Sequence, residues 1–149
     1  MYQPGFAVYI TLGRTEDVVK LDELEKQYRG TTLPNLVEKQ LKSLKEPVLL
    51  EAIQGTYSNF PVGFRPLIDA YTQAYLQKWF GPHIVRTDLG ELFRVTIGDI
   101  KTMASSEGME LSDEQVFDVF NLMVMRLTAF AHSKQELRKQ LGIKKGWFS

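Results

Sequence analysis

The chain has 149 residues, with eighteen basic and eighteen acidic side chains, 44% hydrophobic residues and no cysteine. Charges that cancel leave no chain-wide positive field for nucleic acid or anionic membrane, and the absence of cysteine excludes disulfides, thiolate metal sites and cysteine nucleophiles. A chain of this size reads as one domain spanning residues 1–149, large enough to bury about two thirds of the surface its unfolded form exposes, and cytoplasmic by default.

The start, Met1 to Asp17, lacks a basic region, a long apolar run and a small-residue cleavage site, so it does not read as a signal peptide. Phe6, Val8, Ile10 and Leu12 alternate with Ala7, Tyr9 and Thr11, a period-two strand signal over 6–12. After Gly13, Thr15 reads as the N-cap of a helix through Arg29, with Glu16 and Asp17 in its first turn and Gly30 as its stop. A second helix is expected from Leu33 to Lys45, capped by Thr32, with Pro34 in its first turn and Leu36, Val37, Leu41 and Leu44 on one side.

Pro47 breaks or restarts that helix, and a short one from Val48 to Gln54 is expected to stop at Gly55. The 55–66 stretch, GTYSNFPVGFRP, then holds two glycines, two prolines and three aromatics, the composition of an apolar loop. Its Tyr57, Phe60 and Phe64 either tuck into the core or form an exposed lip for a ligand or partner.

Pro66 opens a helix to Phe80, ended by Gly81-Pro82. The 83–97 region is ambiguous: it alternates like two strands around Asp88-Leu89-Gly90, yet Asp88 and Glu91 also suit a helix-opening capping pair, which is the preferred reading. Asp99 to Ser106 should be helical and close at Gly108.

The strongest signal is Ser112 to His132. On a helical wheel Glu114, Asp118, Asn121, Thr128 and His132 form one polar stripe, and apolar residues fill most of the remaining circumference. Ser112 and Gln115 form a capping box at its start. A helix apolar on so many sides has to be covered on most of them, by its own chain or by a second subunit. Asp118, Asn121 and Arg126 interrupt it too often for a membrane span. Beyond it, 133–141 can extend or follow the helix before a basic-aromatic tail.

The fold expected is therefore mainly α, a single-domain helical bundle around a central buried helix (112–132). The alternative is an α+β fold with a small three-stranded antiparallel sheet (6–12, 84–87, 92–97).

Catalytic groupings are scarce. His83 and His132 have no paired spacing, and neither a phosphate-binding glycine loop nor Gly-x-Ser-x-Gly is present. Catalytic, metal-ligating and cofactor-binding residues are accordingly assigned to none. Arg126 is the residue out of place: it lies off the polar stripe, so its charge should be partly enclosed and need a partner. Either it pairs with an internal carboxylate, Asp69, Asp99 or Glu91, or snorkels to the surface, or else the planar guanidinium holds an acidic ligand. A second contact surface is the tail, where Lys144 and Lys145 precede Trp147 and Phe148. It either stays solvated or packs back onto its own domain, or else suits anionic lipid or an acidic surface such as the 86–118 segment of a second copy; nucleic acid is disfavoured.

The expected function is a small helical interaction or regulatory protein without catalytic activity, acting on a protein partner or by self-association as a homodimer. The alternative is a small-molecule sensor whose acidic-ligand pocket lies near Arg126 and the 55–66 loop, with Tyr57, Phe60, Phe64 and Arg65 closing over it.

Overall fold

The computed structural model of the chain describes residues 20–79, 84, 86–134, 136 and 139. Among the described residues six helices are bounded, in order: α1 (Leu21–Tyr28), α2 (Leu33–Ser43), α3 (Glu46–Ser58), α4 (Arg65–Trp79), α5 (Leu89–Ser106) and α6 (Asp113–Ser133). A 3₁₀ turn, Val62–Phe64, joins α3 to α4. The described chain is thus mainly α, with α6 at its centre. The helices α2, α3, α4 and α5 all pack on α6, and α1 lies chiefly against α5. No helix among the described residues is long and apolar enough to cross a membrane.

The small sheet is not formed. Residues 92–97 are the interior of α5, Ile84 and Arg86 have helical backbone, and 6–12 lie outside the described residues. A strand would have placed Phe93, Val95 and Ile97 on one face. Instead α5 buries Leu89, Leu92, Phe93, Thr96, Ile97, Ile100 and Ala104 at helical spacing and leaves Val95 exposed. The 99–106 helix is simply the second half of this one.

Two other boundaries differ from expectation. Lys20 is extended, so α1 begins at Leu21, and Thr15 lies outside the described residues. Gly55 does not end a helix: α3 starts beside Pro47 and runs through Gly55 to Ser58. Glycine inside a helix costs about 0.5–1 kcal/mol relative to alanine. Burial of Leu49, Ala52 and Thr56 on the inward side of α3 offsets that cost.

The helix α6 is held as its sequence suggests. Ser112 Oγ accepts from the Gln115 amide at 3.2 Å, and Gln115 Oε1 accepts from the Ser112 amide at 3.0 Å. From Val116 to Leu127 every residue is buried except Asp118 and Arg126, which are half-buried. Each fully buried large apolar side chain contributes about 1.5–3 kcal/mol, which makes α6 the principal source of stability. Phe120 meets Phe93 of α5 edge-on at 4.8 Å, and Tyr28 of α1 meets Phe93 at 5.0 Å, so one aromatic cluster joins three helices.

Thr128 and His132, on the polar stripe of α6, meet partners elsewhere in the chain. Asn121 and Thr128 are fully buried. Thr128 Oγ1 lies 3.1 Å from Gln40 Oε1 on α2, and His132 Nε2 donates to the Leu44 carbonyl at 3.0 Å. Most of the apolar circumference of α6 is covered by its own chain, with Phe130 left 40% exposed.

A clasp fixes α1 against α5. Asp88 caps α5 by accepting from the Gly90 and Glu91 amides, and its other oxygen accepts from the Gly30 amide. Gly30 has φ +86°, the left-handed conformation glycine adopts freely after a helix end. Thr31 closes the clasp by accepting from the Leu89 amide at 2.7 Å.

Candidate functional site

The last turn of α3, the first half of α4 and the middle of α6 converge on the Tyr57 ring. Arg126 Cζ lies 5.6 Å from the ring centroid and Arg65 Cζ lies 5.7 Å from it, both within cation–π range. Tyr57 Oη donates to Asp69 Oδ2 at 2.8 Å. Asp69 and Thr72, three positions apart on α4, share the face that meets α6. Arg126 Nη1 donates to the Thr72 hydroxyl, and Arg126 Nη2 lies 3.7 Å from Asp69 Oδ1.

Arg126 therefore has the internal carboxylate that an enclosed arginine needs, and it is Asp69. The pair is loose: 3.7 Å is an ion-pair distance, longer than the charge-assisted hydrogen bonds that form at about 2.7–2.9 Å. The Asp69 side chain is 52% exposed and that of Arg126 is 25% exposed. Thr72 and the Tyr57 ring fix where the guanidinium lies. Among the described residues its hydrogen bond goes to Thr72 alone, through Nη1, and Nη2 has only the longer approach to Asp69.

Arg65 is positioned differently. Its Nε donates to the Phe60 carbonyl at 3.3 Å and its Nη2 to the Ser58 carbonyl at 3.1 Å, where α3 ends and its dipole is negative. No carboxylate pairs with Arg65 among the described residues. Two guanidiniums thus share one phenol ring with a single carboxylate, and the patch keeps a positive excess.

The hydrogen bond to Asp69, then desolvation, then the negative charge of Asp69 hold the Tyr57 phenol above its ordinary pKa, against the two arginines. Tyr57 therefore remains a donor through the neutral range.

Among the aromatics of the 55–66 stretch, Phe60 is buried in the core and Phe64 is half-buried against it. Neither forms a lip. What protrudes beside Arg65 is the turn Pro61-Val62-Gly63, with Val62 73% exposed. The structure thus brings Tyr57, Arg65 and Arg126 together, with Phe60 in the core and Phe64 packed against it. Thr72 has no distinguishing sequence signal, since its role depends on where α4 crosses α6. Lys144, Lys145, Trp147 and Phe148 lie outside the described residues.

A groove of about 580 Å³ lies elsewhere, where α5 ends and α6 begins. Lys101 and Asp113 line it and pair with each other at 3.4 Å. Among the described residues no group of three or more histidines and carboxylates could hold a metal ion. No family model, no curated protein and no solved structure matches the chain.

Proposed function

We propose that the chain is a small helical interaction protein without catalytic activity, and that it docks an acidic segment of a protein partner on the Tyr57–Arg65–Arg126 patch. The observation that carries this reading is the partly exposed Arg126 guanidinium, held in place by Thr72 and Tyr57 while its ion pair with Asp69 stays at 3.7 Å. A guanidinium ordered before binding loses less entropy when a carboxylate arrives. The exposed Pro61-Val62 turn offers apolar contact alongside. That pairing of a cationic fork with an apolar knob suits a peptide better than a free acid, which places the small-molecule sensor second.

The test is fluorescence anisotropy of a labelled, acetylated octaglutamate peptide. The native protein should bind it, less tightly as salt rises. Arg126→Lys, which keeps the charge and loses the planar fork, should weaken binding about tenfold or more, the scale of a charge-assisted hydrogen bond. No binding at low salt, or equal binding by Arg126→Lys, would overturn the reading. Sedimentation velocity of the protein alone then shows whether a second copy is itself the partner.

A further inference from the structure

We infer that Asp69 is a built-in competitor, standing where the partner's carboxylate arrives at Arg126, so that docking on this patch is an exchange of carboxylates. The inference rests on the docking reading above and adds what regulates it.

Asp69 has two attachments, and they are unequal. Its Oδ2 accepts a direct hydrogen bond from Tyr57 Oη at 2.8 Å, whereas its Oδ1 stands 3.7 Å from Arg126 Nη2, close enough to attract but too far to bond. The tyrosine thus tethers Asp69 beside Arg126 at a distance too long for a direct hydrogen bond to the guanidinium. An exposed pair of this kind contributes on the order of 0–1 kcal/mol, while a hydrogen bond to a charged group contributes about 1.5–3 kcal/mol. An incoming carboxylate that meets both Nε and Nη2 makes the better bond.

Asp69 opposes that arrival in two ways. Its negative charge repels a second carboxylate at the same guanidinium, and it offsets one of the two positive charges around the ring. A single acidic side chain is thereby held off, while a segment with several can engage Arg126 and Arg65 together. The partner class this selects is a peptide with clustered glutamate or aspartate, and Asp69 sets the threshold.

The experiment compares Asp69→Asn with the native protein in octaglutamate binding, with Glu51→Gln as a control that removes one negative charge from the exposed side of α3. Asparagine keeps the shape and can still accept from Tyr57, and a circular dichroism melt of each variant confirms that the fold is retained. Asp69→Asn should bind about two- to fivefold more tightly, the range of one exposed charge interaction, and Glu51→Gln should bind like the native protein. Adding Arg126→Lys to Asp69→Asn should abolish the gain. Native binding that Asp69→Asn leaves unchanged, or changes no more than Glu51→Gln does, overturns the exchange and leaves the docking site standing. Failure of both the native and Asp69→Asn proteins to bind overturns the docking reading and the exchange with it.

Discussion

The Asp88 carboxylate accepts a hydrogen bond from the Gly30 amide at 2.7 Å, joining residues 58 positions apart at the point where α1 meets α5. The same carboxylate caps α5 through the Gly90 and Glu91 amides, so one side chain both starts a helix and holds its neighbour.

That double role makes stability depend on acid. The Gly30 amide first, with the Glu91 and Gly90 amides and Arg29 after it, holds the Asp88 carboxyl below its ordinary pKa despite opposing desolvation. A lowered folded pKa means the ionised form is favoured by folding. Its contribution is complete above the unfolded value of about 3.9 and is lost as pH falls through the lower folded value. Asp88→Asn should melt below the native protein at neutral pH, and the gap should close as pH is taken below about 4. Thermal melts across that range check it.

Gly90 is required for close approach. A Cβ there would stand 2.8 Å from Arg29 Cγ and 2.9 Å from the Glu25 carbonyl oxygen, and the second of these is backbone that cannot swing away. Gly90→Ala should destabilise the protein by about 1–3 kcal/mol, the usual cost of overpacking, despite the better helix propensity of alanine. Urea unfolding measures it, and an unchanged midpoint would show that α1 simply shifts.

Alkali should act through Tyr71. Burial first, then the negative charges of Tyr75 and Glu107, push its phenol up to about 12. The neutral form is favoured by folding, so this contribution is present below the unfolded value of about 10 and is lost as pH rises towards 12. The hydroxyl is buried without a hydrogen-bond partner among the described residues. Tyr71→Phe should therefore melt higher than the native protein at neutral pH and keep more of its stability above pH 10. Melts at neutral and alkaline pH test both halves.

Arg126→Met separates fold from docking. Methionine can fill the space of the arginine stem, and Asp69, being half exposed, is left in water rather than stranded. Stability should change by no more than about 1 kcal/mol while octaglutamate binding is lost. Collapse of the fold with binding retained in the folded fraction would make Arg126 purely structural.

The centre of this fold was legible because several local signals agree over Ser112–His132: a capping box, acidic residues in the first turn and apolar residues nearly all round. Arg126 stood out for the same reason, as one charge breaking a consistent pattern, and Asp69 was among the carboxylates expected to meet it. The reading failed where local pattern is ambiguous. Phe93 to Ile97 alternates as a strand would, and only the wider set from Leu89 to Ala104 reveals the helical spacing. Gly55 looked like a stop because propensity is local, whereas burial of Ala52 and Thr56 is decided by α6. Polarity alone could not tell that Thr128 faces Gln40, 88 positions away, or that Asp88 reaches Gly30. Thr72 was invisible for the same reason.

The sheathing of α6 also makes it a gauge. Amide protons along Val116–Leu127 can meet deuterium only when the surrounding helices part, so this peptide should be the last to exchange, at a rate that reports opening of the whole bundle. Arg126 sits on that same helix. Anything that binds the folded chain there slows exchange at the centre by mass action, and a partner docked at the surface would be heard in the most deeply enclosed part of the molecule.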